Sequence, residues 1–346
     1  MEIFLNVPIK HGFSIHGSPV SVANSLASLD ATIQFFLSPF TSISQPQMTP
    51  TRGEIRPFDL AEVTHSLAPA AASVRQSDDL VDIYSLGERS WILDDRWGMC
   101  EIDLLKRRWQ SWVLPHPTLD PVRLAEATVL WPLAQLLRLR GIELTSAISV
   151  ERGGWGALIV SPYPITAEIS RLLRAGYRII GQRWTILLRQ HGRLVLRRVP
   201  GVVESLEVGS KRIGRETAWI DLTAERPWQT AELASCDAVI VIASGRRCTS
   251  HGRVIGTSES RSLLRHSWPM TDLPLNRSRF QQTAATLASQ CLCLSLQLSR
   301  HADEFLQLIE FARQRTASRV QVAISGALRR HFVPGSRKPR ASRLAG

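Results

Sequence analysis

The sequence predicts an α/β fold in which a mixed sheet is flanked by helices. A short apolar run at 157–160 is typical of a strand buried on both faces. Apolar residues at helical spacing follow at 166–175, and another apolar run begins at 177, so this stretch predicts a strand, a helix and a second strand. The run Ala-Val-Ile-Val-Ile-Ala at 238–243 is the most hydrophobic in the C-terminal half and predicts a central strand.

The composition is that of a globular protein with an excess of arginine. The chain has 346 residues, 44% of them hydrophobic and 21% charged, which suits one large domain or two ordinary ones. The net charge is +12, and the lysines are only Lys10, Lys106, Lys211 and Lys338. Either the genome favours arginine, or the surface binds an anionic partner such as nucleic acid, an acidic protein or anionic lipid.

Cysteine spacing and hydropathy exclude several classes of protein. The five cysteines form no C-x-x-C pair and no cluster with histidine, which predicts free, mostly buried thiols in a reducing cytoplasm. No stretch reaches the roughly 18 consecutive apolar residues of a membrane span, and the first residues lack the layout of a signal peptide. We therefore expect a cytoplasmic protein without a membrane span. The cysteines are Cys100, Cys236, Cys248, Cys291 and Cys293.

Three segments are expected along the chain. Residues 1–58 predict a small β-rich N-terminal region, with a strand at 31–37 and a linker rich in proline, serine and threonine. Residues 59–328 predict the α/β core. Residues 329–346 form a basic tail that is expected to be flexible alone, and its charge suits RNA, DNA or an acidic protein surface.

The predicted core begins with short strands and continues with a long apolar helix. Strands separated by tight turns predict a β-meander over 80–114. A helix is expected to begin after Asp120, and Pro132 is expected to kink or split it. Residues 142–150 then predict one strand that precedes the central strand–helix–strand unit.

Two basic residues in the C-terminal half are candidate contacts for an anion. Arg246 and Arg247 follow the carboxyl end of the apolar strand at 238–243, the edge at which α/β sheets usually bind ligands. Further along, the hydrophobic pattern predicts a strand at 291–298 and an amphipathic helix at 303–313.

The segment 157–188 resembles the core of HPr kinase/phosphatase-like proteins. The resemblance rests on the order of strand, loop, helix and strand, on Leu-Leu-Arg-Ala-Gly at the end of the helix, and on Tyr-Arg-Ile-Ile in the strand that follows. It implies an HPr-kinase-like P-loop core preceded by a small β-rich region. It also implies a phosphate-binding loop at 161–166, rich in glycine with a terminal Lys-Ser/Thr, and a pair of aspartates at 182–183.

The residues that would perform this chemistry are replaced. The loop has two prolines and no glycine to let successive amides point at a phosphate, and Ile165 stands in the position of the lysine. Gln182 and Arg183 stand where the aspartates would hold magnesium or accept a proton, and Ser146 stands where many relatives have histidine. The sequence therefore predicts no catalytic residue, no metal and no cofactor. The degenerate loop is Ser161, Pro162, Tyr163, Pro164, Ile165 and Thr166. Thr166 is also the expected N-cap of the helix that follows the loop.

These replacements predict a catalytically inactive HPr-kinase-like protein, a pseudokinase, that acts as a protein-binding scaffold or as a subunit of a larger complex. One alternative is an active ATP-dependent kinase of a peptide or small hydroxyl substrate, with relocated catalytic groups. Another is a polyanion- or nucleic-acid-binding protein, which the net charge of +12 and the basic tail favour. Tryptophans clustered around the meander are expected either in the core or on a protein-contact surface.

Overall fold

The described part of the chain is a mixed α/β fold in which several sheets pack with helices. The structure is a computed structural model. Within the described ranges, none of the helices combines the length and apolar character that crossing a bilayer requires. The structure describes residues 8–37, 50–69, 71–77, 81–161, 165–181, 183–199, 203–204, 219–220, 227–243, 251–256, 258–259, 274–297 and 304–317.

Strands and helices are numbered in chain order. The strands are β1 (Ile9–Ile15), β2 (Ser18–Asn24), β3 (Thr51–Pro57), β4 (Ser73–Ser77), β5 (Val81–Leu86), β6 (Arg89–Asp94), β7 (Gly98–Asp103), β8 (Arg108–Val113), β9 (Glu143–Thr145), β10 (Ile148–Arg152), β11 (Trp155–Val160), β12 (Arg178–Gly181), β13 (Thr185–Gln190), β14 (Arg193–Arg198), β15 (Val203–Glu204), β16 (Trp219–Ile220), β17 (Leu233–Ser235), β18 (Ala238–Ile242), β19 (His251–Val254) and β20 (Leu292–Gln297). The helices are α1 (Ala27–Leu37), α2 (Leu60–Ser66), α3 (Pro121–Ala125), α4 (Trp131–Arg138), α5 (Thr166–Arg174), α6 (Pro274–Gln290) and α7 (304–317).

The N-terminal third forms an eight-stranded sheet in the order β1-β2-β3-β8-β7-β6-β5-β4. The antiparallel strands β5 to β8 confirm the predicted meander. Strand β3 pairs in parallel with both β2 and β8, so hydrogen bonds of this sheet join strands on both sides of residue 58. The division of the chain into 1–58, 59–328 and 329–346 stays a prediction, and the basic tail lies outside the described residues.

The predicted strand at 31–37 is wrong, because these residues belong to helix α1. Leu29, Ile33 and Leu37 recur every four residues and are at most 2% exposed. This spacing places them on one face of a helix, which packs into the same core cluster as the eight-stranded sheet. The β-branched and aromatic residues of the segment suggested a strand, but burial of this face decides for a helix.

The long helix predicted after Asp120 is interrupted. The Asp120 carboxylate caps α3 by accepting hydrogen bonds from the amides of Val122 and Arg123, each at 3.0 Å. A π-helical turn, Glu126–Leu130, separates α3 from α4. Pro132 lies in the first turn of α4, where its missing amide hydrogen costs little. The interruption predicted at Pro132 is therefore present as the π-helical turn just before this proline.

The predicted strand–helix–strand unit is present in the six-stranded sheet, whose order is β12-β10-β11-β18-β20-β19. Helix α5 connects β11 to β12, but β10 lies between these strands and pairs antiparallel with both. Strand β18 pairs in parallel with β11 and β20, which confirms the central strand predicted at 238–243. Strand β20 and helix α7 likewise match the strand and helix expected at 291–298 and 303–313.

The single strand predicted at 142–150 is wrong, because it divides into β9 and β10 in two different sheets. Strand β9 pairs with β13 in the four-stranded sheet β17-β14-β13-β9, and β10 belongs to the six-stranded sheet. Ser146 lies exposed in the bend between them. The chain therefore changes sheets within two residues, an event that hydrophobic periodicity alone does not reveal.

The described cysteines and the tryptophans of the meander are buried in the core. Among the described residues, Cys100, Cys236, Cys291 and Cys293 are free and buried, as predicted. The tryptophans of the meander are likewise buried, which favours the core interpretation over the contact surface. These tryptophans are Trp91, Trp97, Trp109 and Trp112, each at most 2% exposed.

Candidate functional site

The candidate site is the connection from β11 to α5, where the resemblance places a phosphate loop. Ser161 is half-buried after the end of β11. Pro162, Tyr163 and Pro164 lie outside the described residues, and the structure describes only the backbone of Thr166. Ile165, the residue in the lysine position, is 1% exposed and packs in the cluster that contains Ile169. The side chain that should reach toward a phosphate is therefore part of the hydrophobic core.

The N-terminus of α5 also differs from the expectation that Thr166 caps the helix. The capping residue is Ile165, with φ of −119° and ψ of 44°, and Thr166 is the first helical residue. Ile165 has no side-chain hydrogen bond to offer the free amides. The sequence suggested Thr166 because threonine is a frequent cap, but burial of Ile165 starts the helix one residue earlier.

Glu168 places an acidic group in the first turn of α5. Its side chain is buried, with the residue only 4% exposed. A carboxylate in the first turn interacts favourably with the positive end of the helix dipole, which is the same partial charge that a phosphate would use. Glu168 therefore competes with any bound anion for the partial positive charge at this end of α5.

Arg183, in the position of the second aspartate, forms an ion pair within the protein. Its Nε atom lies 2.7 Å from Oε1 of Glu126 in the π-helical turn. The indole nitrogen of Trp184 donates to the same oxygen at 3.2 Å. Burial raises the pKa of the Glu126 carboxyl to about 8, whereas the charge of Arg123 and the Trp184 hydrogen bond lower it. Arg183 and Trp184 therefore anchor the segment before β13 to the π-helical turn.

The described residues of this site do not fit a magnesium–nucleotide complex. The lysine position is a buried aliphatic side chain, the first helical turn carries Glu168, and Arg183 is a cation bound to Glu126. Within the described part of the chain, no group of three or more histidine, cysteine, aspartate or glutamate side chains is arranged to hold a metal ion. Gln182, Arg246 and Arg247 lie outside the described residues, so their predicted roles stay predictions.

Sequence reasoning missed the two acids that define this site. Glu168 had a detectable signal, because an acid in the first turn of an amphipathic helix is a common dipole partner. Glu126 had none, because its partners Arg183 and Trp184 are distant in the chain and the π-helical turn that carries it leaves no clear mark in the sequence.

Comparisons with known proteins give little further information. No protein-family model matches the chain, and no curated protein matches it. Among solved structures, the HPr(Ser) kinase/phosphatase from Coxiella burnetii is similar with a TM-score of 0.32 and 10% identity, over 56% of this chain and 99% of that one. A likeness at this level carries no argument about function, which is inferred instead from the side chains of the site.

Proposed function

We propose that this chain is a noncatalytic, HPr-kinase-like protein that acts as a protein-binding scaffold or as a subunit of a larger complex. The observation that carries the proposal is the start of α5, where buried Ile165 and Glu168 replace a phosphate cradle. A phosphate here would lack a lysine and meet a carboxylate in surroundings that screen charge poorly. A strand–helix–strand unit without such a cradle suits binding better than phosphoryl transfer.

The role of Arg183 supports the same conclusion. Phosphoryl transfer needs acids that hold magnesium and orient the attacking hydroxyl. Arg183 occupies one of those positions, and its Nε atom lies 2.7 Å from the carboxyl of the buried Glu126. Replacing Arg183 with aspartate would place two acidic side chains next to each other and remove the cation beside the buried Glu126. Arg183 therefore contributes to the stability of the fold.

Titration calorimetry of the full chain with ATP and Mg²⁺ tests the loss of nucleotide binding. We expect no saturable heat up to about 1 mM ATP, a concentration that corresponds to only ~4 kcal/mol of binding free energy. Dissociation constants in the micromolar range, or transfer of labelled phosphate from ATP to any component of a lysate, would overturn the proposal.

The binding role is tested by cross-linking in cells, followed by reconstitution from purified components. We expect a stoichiometric protein partner that binds the full chain without ATP and Mg²⁺, and with the same affinity when both are added. A chain that remains a free monomer at its cellular concentration, with no cross-linked protein, would contradict the scaffold role.

Polyanion binding is the second candidate, and an exposed basic hairpin favours it. Arg189 and Arg193 are exposed at the turn end of the β13–β14 hairpin, and the net charge of the chain is +12. A polyanion binder should elute from heparin only at raised salt, because bound phosphates or sulfates release counterions. Retention that is lost in Arg189→Ser/Arg193→Ser would favour this role, whereas no retention of the wild type would exclude it.

A further inference from the structure

An open cavity of about 490 Å³ lies between three elements of the described structure. The turn between β7 and β8 contributes Arg107, and the C-terminal end of α4 contributes Leu139. The third wall is helix α6, from which Leu275, Arg279 and Gln282 line the cavity. Their spacing of four and three residues places them on one face of the helix. The cavity is thus bounded by regular elements and a tight turn.

The charge of the cavity is positive. Arg107 and Arg279 line it, and none of the described lining residues is acidic. Within the described residues, neither guanidinium forms an ion pair or a side-chain hydrogen bond. The nearby Glu88 carboxylate instead accepts a hydrogen bond from the Leu275 amide at 3.4 Å. Burial, followed by the charge of Arg107, lowers the pKa of Arg140 beside the cavity, so a third cation lies within electrostatic range.

The apolar part of the cavity is aliphatic. Leu104 is 1% exposed and belongs to the core, whereas Leu105 and Leu275 are 74% and 39% exposed. Among the lining residues that the structure describes, there is no aromatic side chain on which a nucleobase would stack. Its volume falls in the range of about 300–1,000 Å³ that is usual for binding pockets. Exposed leucines beside arginines that have no ion-pair partner in the described part of the chain suit a ligand that carries both aliphatic and acidic groups.

We propose that this cavity binds an acidic segment of a partner protein in which leucine-like side chains alternate with carboxylates. Arg107 and Arg279 bind the carboxylates, and Leu105 and Leu275 cover the aliphatic side chains. Guanidinium groups suit this role because they can donate two parallel hydrogen bonds to a carboxylate. The net charge of +12 would speed the encounter with such a segment. This inference rests on the proposed scaffold function and assigns a surface and a partner chemistry to it.

A short fluorescein-labelled peptide of alternating aspartate and leucine is a direct probe of the cavity. We expect saturable binding to the full chain by fluorescence anisotropy, weakened about tenfold by Arg279→Glu and by Arg107→Asn. Arg107 has a φ of 52°, which asparagine tolerates better than most residues, so this variant should remain folded. Circular dichroism confirms the fold of each variant before binding is measured.

Matched controls separate this site from general attraction of an acidic peptide to a basic protein. Arg315→Glu changes the same charge as Arg279→Glu but lies on the exposed surface of α7, and it should leave binding unchanged within about twofold. A peptide with asparagine in place of aspartate, and one with serine in place of leucine, should each bind at least tenfold more weakly. Equal weakening by Arg315→Glu, or unchanged binding of either control peptide, would overturn the proposal.

The cross-linked partner separates failure of this inference from failure of the scaffold function. If Arg279→Glu and the wild type bind the purified partner equally well without ATP, the cavity assignment is wrong and the scaffold function stands. If the chain transfers phosphate from ATP, the scaffold function fails whatever the peptide does. Loss of the partner in Arg279→Glu, together with its retention in Arg315→Glu, supports both.

Discussion

Nε of Arg183 lies 2.7 Å from Oε1 of Glu126, which joins the start of β13 to the π-helical turn between α3 and α4. The resemblance to HPr kinase/phosphatase-like proteins predicts an aspartate at position 183, and the contact engages the arginine found there inside the protein. Glu126 is 5% exposed, and Arg183 and the Trp184 indole are positioned to stabilise the charged form of its carboxyl.

Glu126 should make the stability of the protein depend on pH. Burial raises the pKa of its carboxyl in the folded state from 4.5 to about 8, so the folded chain binds this proton more tightly than the unfolded chain. The free energy of unfolding should therefore fall as pH rises through this interval. We expect a loss on the order of 2 kcal/mol relative to Glu126→Gln, since one pKa unit is worth ~1.4 kcal/mol and Arg183 offsets part of the shift.

Urea denaturation at several pH values between 5 and 8 measures this effect. Glu126→Gln keeps an acceptor for the Trp184 indole but has no proton to lose, so its profile should be flatter. Parallel profiles for the two proteins would show that Glu126 remains charged throughout, with Arg183 as a full counterion.

His16 should lower the free energy of unfolding as pH falls, which is opposite to the pH dependence expected from Glu126. Burial, followed by the charge of Arg197, lowers its pKa to about 4. Its Nδ1 atom lies 2.9 Å from Nη1 of Arg197 and connects the β1–β2 turn to β14. Because the unfolded imidazole binds its proton near pH 6.5, stability is fully present above that pH and is lost as pH falls toward 4. We expect a contribution of ~1 kcal/mol after solvent screening.

The measurement compares His16→Asn with His191→Asn in denaturation experiments from pH 7 to 4. Both histidines have a φ of 48°, which asparagine tolerates, and His191 lies exposed on the β13–β14 turn. Only His16→Asn should reduce the loss of stability at acid pH. An equal reduction in both variants would assign the effect to net charge.

Arg138 and Glu143 form a buried ion pair between α4 and β9. Nε of Arg138 lies 2.8 Å from Oε2 of Glu143, and the two side chains are 0% and 3% exposed. Thr283 on α6 donates to the other carboxylate oxygen at 3.2 Å. Glu143→Leu should lower the free energy of unfolding by ~3–5 kcal/mol, because it leaves the guanidinium charge buried without a counterion.

The double variant Arg138→Met/Glu143→Leu is the control for this pair. It removes both charges, so it should be more stable than Glu143→Leu alone by urea denaturation. A double variant less stable than the single one would mean that Arg138 contributes mainly through packing and its other hydrogen bonds.

Gly53 and Trp109 test the pairing of strands across residue 58. They face each other in the parallel pair β3–β8, and a Cβ atom on Gly53 would overlap the Trp109 ring. Trp109 is 1% exposed and donates to the Thr128 carbonyl at 2.9 Å, so the ring has little freedom to move. Gly53→Ala should destabilise the whole chain by ~1–3 kcal/mol in thermal or urea denaturation.

Gly12→Ala is the matched change on β1, where a Cβ atom meets nothing within 4 Å. It should alter stability by less than ~0.5 kcal/mol. If Gly53→Ala also proved neutral, β3 would not be packed tightly against the Trp109 ring of β8.

Local sequence patterns were sufficient to predict those elements whose own residue types indicate whether they are buried or exposed. Strand-like runs separated by tight turns over 80–114 predicted the meander, and uniform apolarity predicted the buried central strand β18. The lost glycines of the loop and the isoleucine at position 165 were also visible, because these residue types act through their own backbone or side chain. The α/β class followed from these elements together.

Contacts between distant parts of the chain were decided only by the tertiary structure. The pairing of Glu126 with Arg183, the insertion of β10 between β11 and β12, and the division of 142–150 between two sheets are all nonlocal. Only the tertiary structure identified helix α1, because burial of one face of this helix outweighed the strand-like composition of its sequence. The amino-acid sequence by itself determined which side chains prefer the interior and that residues 161–166 contain neither glycine nor lysine. Packing decided which charged side chains meet and which of them line the cavity. These contacts join segments that are far apart in the chain, whereas hydrophobic periodicity reports only on neighbours along the chain.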